Sequence, residues 1–267
     1  MGQPVRYPKL KRQPLTLVLA EFRFSPLQAT VSRLYALQEQ MQQAFGQVEE
    51  FTTHTLRLAP DGSQERASGW GFLFHSEAGD SLVQVEPERL IYVTTHYPRF
   101  PAFASRCLEA VTLLEETLAP EQLLRVGLRY NDVVVPEPEE ALVAYLDGSL
   151  LPPASLAALP YPLAGHRTET RFKTEAGLVV VRALVSEHGL AVMPDIDPHF
   201  QLSQPSEVPR DRLTAVLDFD HFWRAEPQQR EAFDQETVRH RLAALHEPTR
   251  EAFWRVTTEW ARSERWS

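Results

Sequence analysis

Two short acidic stretches carry the residues best suited to chemistry. Pro194-Asp195-Ile196-Asp197-Pro198-His199 closes one apolar run, and Leu217-Asp218-Phe219-Asp220-His221 closes another. Within each stretch the carboxylates are two residues apart, so on a strand both lie on one face. If the two strands are neighbours, Asp195, Asp197, Asp218 and Asp220 converge with His199 and His221. Such a carboxylate group suits Mg²⁺ or Mn²⁺, and the ion would activate water for attack on a phosphate ester or nucleic acid. His199 or His221 would then move the proton. The spacing matches no specific metal signature, however. Asp also serves turns at strand ends, and pairing of these groups with Arg125, Arg129 or Arg171 across a sheet is the expectation favoured over a metal site.

A second set lies in Leu123 to Pro138. There Leu124, Val126, Leu128 and Tyr130 alternate with Arg125, Gly127, Arg129 and Asn131. Period-two alternation predicts a strand with one packed and one polar face. Arg125, Arg129 and Asn131, with Glu21 and Arg23 of an earlier strand, form a candidate binding face. Guanidinium forks grip phosphate or carboxylate. Two Arg on one face of a central strand need a partner, because an unpaired buried charge is costly. The partner is either a ligand or an internal carboxylate, namely Glu21, Asp218 or Asp220. Trp254 and Trp266 fall outside the apolar stripe of the last predicted helix and are candidate anchors for a protein partner or a second copy. No HExxH, no CxxC, no Gly-rich phosphate loop and no adjacent Ser/His/Asp arrangement occurs. The single cysteine, Cys107, sits in a helical apolar pattern and reads as a buried thiol.

Composition narrows the field. A chain of 267 residues can bury a sizeable core as one large domain or two intimately packed ones. Its net charge of −9 does not favour nucleic acid, although a local basic surface would still allow it. No apolar run approaches the roughly 20 residues that span a bilayer. The basic start is followed by no apolar signal segment, and position 6 is Arg where myristoylation wants Ser or Thr. A cytoplasmic location is expected.

Stepping along the elements, Leu15 to Phe24 predicts the first strand. Ser25-Pro26 reads as a helix start and Gly46 as its end. Four strands follow (51–58, 69–75, 82–85 and 90–94), then a helix over 100–118. The second half begins with the strand at Leu123. It continues with short helical turns, strands over 166–174, 178–185, 189–196 and 212–219, and helices over 226–244 and 248–262. Strand, helix, four antiparallel strands, helix therefore occurs twice, over residues 1–120 and 121–267. This pseudo-duplicated α+β order resembles the TATA-binding-protein-like layout, and a fold does not by itself establish DNA binding.

The segments LAEFRF, LRVGLRYND, LAVMPDID, LTAVLDFD and LHEPTREAFWRVTTE together resemble a sporadically distributed bacterial family of uncharacterised proteins of about this chain's length. Asp132 after Asn131, and Phe219 within the second acidic pair, depart from the forms expected in that family. The resemblance brings no established activity. Its sporadic distribution implies a role in a bacterial defence or regulatory assembly. The function expected is thus a non-enzymatic binding or structural accessory protein with no cofactor. The alternative is the Mg²⁺- or Mn²⁺-dependent enzyme described above.

Overall fold

The computed structural model describes residues 7–58, 64–196, 200, 202–203, 207–226, 228 and 231–267. Leu15–Phe24 forms strand β1. Its Val18, Ala20, Phe22 and Phe24 are buried on one face and Arg23 is exposed on the other, as period two requires. Helix α1 (Val31–Phe45) buries Leu37, Met41 and Phe45 at helical spacing and ends at Gly46, φ 104°. It starts later than Ser25-Pro26 suggests. The Ser25 N–H donates to the Gln122 carbonyl at 3.0 Å, and its Oγ accepts from the Gln122 N–H at 3.2 Å. Ser25 thus joins two strands and caps no helix.

Strands β2 (Gln47–Leu58), β3 (Gln64–His75), β4 (Ser81–Glu86) and β5 (Arg89–Thr94) form an antiparallel meander. Helix α2 (Phe100–Leu118) completes the first half with Phe103, Cys107, Val111 and Leu114 buried. The second half runs through β6 (Gln122–Val134), short helical turns including α3 (Ala154–Ala157), β7 (Gly165–Thr174), β8 (Gly177–Ser186), β9 (Thr214–Arg224), β10 (Glu231–Ala232) and α4 (Gln235–Val256). A π-helical turn over Ala261–Arg265 follows. Among the described residues no helix is long and apolar enough to cross a membrane.

All strands belong to one open sheet, in the order β2-β3-β4-β5-β1-β6-β9-β8-β7, with β10 on β6. The halves meet where β1 pairs antiparallel with β6. β5 flanks β1 as β9 flanks β6, so the α+β layout is pseudo-duplicated about that central pair. The last of the four strands that follow the short helical turns is β10. Residues 189–196, expected as a strand, are bends and turns. Nor do 226–244 and 248–262 form separate helices. Asp234 caps α4 by accepting the Thr237 N–H at 2.7 Å, and the helix continues through Pro248.

Helices α1, α2 and α4 cover one sheet face around Phe22, Phe74, Leu114, Leu128, Phe219 and Leu242. Burying each such side chain stabilises the fold by about 1.5–3 kcal/mol. On the other face, Met193, Ile196, Phe200 and Leu202 pack on Leu17, Leu82, Ile91, Val93 and Val216. That apolar demand explains why residues 189–196 leave the sheet. Their side chains serve as a strap across it, and the strap is held where Thr95 Oγ1 donates to Ser203 O at 2.9 Å.

Gly46 sits where α1 turns into β2. A Cβ there would meet the His75 carbonyl oxygen at 2.3 Å, and the left-handed φ opposes any L side chain. Gly46→Ala is expected to cost about 1–3 kcal/mol in urea unfolding. An unchanged midpoint would show that the junction relaxes freely.

Candidate functional site

The face of β6 turned away from the helices carries Arg125, Arg129 and Asn131. In register they oppose Arg224, Asp220 and Asp218 of β9. Asp218 is fully buried. It accepts from Arg129 at 2.6 and 3.0 Å, from Arg182 of β8 at 2.6 Å and from Asn131 Nδ2 at 2.7 Å. Asn131 Oδ1 in turn accepts the Met193 N–H at 2.8 Å, and Arg129 donates to Asp195 at 2.9 Å. The polar face of β6 therefore fastens the strap. Burial works against the Arg129 charge, but the Asp218 and Asp195 carboxylates outweigh it and raise its pKa.

Glu21 of β1 receives Arg125 and, at 2.9 Å, Arg23, with Arg89 at 3.8 Å. Burial alone would raise its pKa; these guanidiniums bring it below the ordinary value. Asp220 lies 3.8 Å from Arg125 and 3.9 Å from Arg182. Burial leaves it above the ordinary carboxylate value despite Arg125 and Arg129. Arg125 and Arg129 also line a small cavity of about 230 Å³ beside Arg23, Arg89 and Arg224.

This arrangement corrects the reading of the acidic pairs as an open metal cage. Asp195, Asp218 and Asp220 each face guanidinium, which neutralises the charge a cation would need. Among the described residues no group of three or more His, Cys, Asp or Glu side chains is placed to hold a metal. Asp197 and His199 lie outside the described residues. His221 does not face an open site either. It is buried, with Nδ1 2.8 Å from Leu245 O and Nε2 2.9 Å from Thr174 Oγ1. Leu245 O also accepts from Thr249 Oγ1 at 2.7 Å. These bonds hold α4 to the sheet beside Pro248, which has no N–H for the helix ladder.

The Trp assignments change as well. Trp266 is buried, 6.1 Å from the Tyr145 ring and 6.0 Å from Phe253, so it is no exposed anchor. Trp254 is half-buried. It packs at 5.0 Å on Tyr7, and the Arg262 guanidinium lies 4.7 Å from its ring centre. It also lines a cavity of about 400 Å³ on the helix side of the sheet.

That cavity is bounded by the lead to β1, the start of α2, β6, β9 and the second half of α4. Its polar groups converge. The Tyr130 hydroxyl lies 3.1 Å from the Tyr97 hydroxyl and 3.0 Å from His246 Nδ1. His246 stacks on Phe100, 3.9 Å between ring centres and 2° between planes. Burial, assisted by Arg250, lowers His246 to about 4, so its ring is neutral near pH 7. Burial raises Tyr97 to about 12. Asp132 also lines the cavity, 4% exposed, with no hydrogen-bond or ion-pair partner among the described residues. Burial, and then the nearby Asp218 carboxylate, push Asp132 up to about 8.

Sequence reasoning treated Asp132 only as a departure from a family pattern and gave His246 no role. A signal for Asp132 was present. It shares strand parity with Val126, Leu128 and Tyr130, which makes it a carboxyl on an apolar face. The meeting of Tyr97, Tyr130 and His246 spans 33 and 116 residues and has no local pattern.

The chain matches no protein-family model, and no curated protein matches it.

Removing Asp218 would leave buried Arg129 and Arg182 without their shared partner. Asp218→Ala should lower unfolding stability by about 3–5 kcal/mol, read from denaturant curves. A loss below about 1 kcal/mol would mean that Asp195 and Glu169 suffice for the two guanidiniums. Asp132 has the opposite character. Folded, it keeps its proton to about 8; unfolded, it loses it near 4. Between those values the unfolded chain binds fewer protons, so the group's contribution to stability falls as pH rises and is lowest above about 8. Asp132→Asn does not titrate, and its stability should gain on the wild type across that window. A stability difference independent of pH would contradict the assignment.

Proposed function

We propose that this protein is a binding component without chemistry of its own, and that its ligand is a small molecule held in the cavity between β6, β9 and α4. The carrying observation is the buried Asp132 carboxyl, without a hydrogen-bond or ion-pair partner among the described residues, in a cavity of about 400 Å³ lined in large part by aromatic side chains. A cavity of that size, mostly apolar and with few convergent polar groups, is the usual form of a small-molecule site. Groups with displaced pKa values concentrate at such sites. The polar groups serve recognition better than turnover. His246 has its Nδ1 engaged by Tyr130 and its ring face against Phe100. The Asp195, Asp218 and Asp220 carboxylates are committed to arginines.

The resemblance in sequence to a sporadically distributed bacterial family supports an accessory place in a defence or regulatory assembly. In that setting ligand occupancy would be the input, and the surface of α4 with its π-helical turn would face a protein partner. Trp260, 38% exposed, is the large aromatic available there.

Phenethyl alcohol is a neutral probe of suitable shape. It is expected to give a saturation-transfer signal, to quench Trp emission through Trp254, and to bind several-fold more weakly to Trp254→Ala. Absence of binding at saturating probe, with the fold intact by circular dichroism, would sink the cavity as a ligand site.

A further inference from the structure

Asp132 is a buried carboxyl with no cation paired to it among the described residues. Three cations line the cavity, Lys9, Arg99 and Arg250, and none of them pairs with Asp132. Arg250 pairs with Glu247, and its guanidinium lies 4.6 Å from the centre of the Tyr7 ring. Lys9 and Arg99 line the cavity but are solvent-exposed, which places them at its mouth. His246 is held neutral by burial. Asp218, reaching Asp132 from the opposite face of β6, adds negative potential. The walls add to the same preference. Tyr97, Tyr130, Phe219, Phe253 and Trp254 all line the space. Aromatic faces attract cations, and more strongly once water is removed.

We propose that the cavity selects an organic cation, an apolar or aromatic body bearing one protonated amine that pairs with the Asp132 carboxylate. This inference rests on the ligand-binding reading of the same cavity. The amine is the group that completes the site. A neutral hydroxyl leaves Asp132 protonated and meets it only as a hydrogen-bond partner. A carboxylate meets the negative field of Asp218 inside the cavity, and Lys9 and Arg99 lie at the mouth. Pairing with an ammonium stabilises the ionised form of Asp132, so the free protein's carboxyl gives up its proton when the amine binds. Tyr97 and Tyr130 share one hydrogen-bond chain with His246 and stay uncharged, so the proton released is that of Asp132.

Three probes of one shape separate these cases: phenethylamine, phenethyl alcohol and phenylacetate, each titrated calorimetrically into the full-length chain near neutral pH. Phenethylamine should bind about tenfold more tightly than phenethyl alcohol, a difference of about 1.4 kcal/mol. Repeating the titration in buffers of different ionisation enthalpy should reveal proton release with the amine and none with the alcohol. Asp132→Asn should lose the amine's advantage over the alcohol. An alcohol that binds as tightly as the amine, or an amine advantage that survives in Asp132→Asn, overturns the cation inference and leaves the cavity reading standing. Tightest binding of phenylacetate overturns it too, and points to the cations at the mouth. Failure of all three to bind a folded protein overturns both readings. If Asp132→Asn does not fold, proton release by the wild type decides the matter alone.

Discussion

The buried carboxylate of Asp218 is the interaction on which the rest of this structure depends. It lies on β9, between β6 and β8, and is satisfied by Arg129, Arg182 and Asn131 at once. Two of those donors come from β6 and one from β8, so a single side chain on β9 fixes three neighbouring strands. An ionised carboxylate can be buried only where its charge and its lone pairs are met. Asn131 extends the constraint by holding the Met193 N–H, and Arg129 extends it by holding Asp195. The strap across the second sheet face is thus tied to the same group that aligns the strands. Of the residues that carry the Asp-x-Asp pattern, Asp195, Asp218 and Asp220 are consumed by folding.

The two faces of β6 present opposite solutions to buried charge. Asn131 and Asp132 are adjacent in sequence and point to opposite sides of the sheet. On one side, Asp218 is surrounded by donors. On the other, Asp132 shares a cavity with aromatic rings and a neutral imidazole, and no cation among the described residues pairs with it. Burial and the field of Asp218 both disfavour its charge. A position that costs stability as pH rises is understandable if an occupant returns that energy. This asymmetry, more than any motif, separates the structural carboxylates from the one available for recognition.

Much of the architecture was legible in the chain because its causes are local. Alternation in Leu15–Phe24 and Gln122–Val134, helical spacing in Phe100–Leu118, and the stop at Gly46 each follow from backbone periodicity and from a glycine's freedom at positive φ. The failures have a common reason. Residues 189–196 alternate plausibly, but the uncovered sheet face needed their apolar side chains more than its edge needed another strand. Pro248 looked like a break between helices. Yet α4 runs through it, with His221 and Thr249 bonding the Leu245 carbonyl beside it. Trp266 fell outside a helical stripe, yet the π-helical turn carries it back against Tyr145 and Phe253.

By itself the sequence determined the class of fold, the repetition of strand, helix, four strands and helix, and the presence of arginines and aspartates requiring partners. It could not determine which partners they take, because the choice depends on strand order. β9 beside β6 places Asp218 against Arg129, and β8 beside β9 brings Arg182 to the same carboxylate. Nor could it assemble the cavity, whose Tyr97, Tyr130, Asp132 and His246 come from separate elements. Only the tertiary structure decided that the most conspicuous acidic groups close an internal ion network. It also left Asp132, an inconspicuous neighbour on the apolar face, buried without a partner among the described residues.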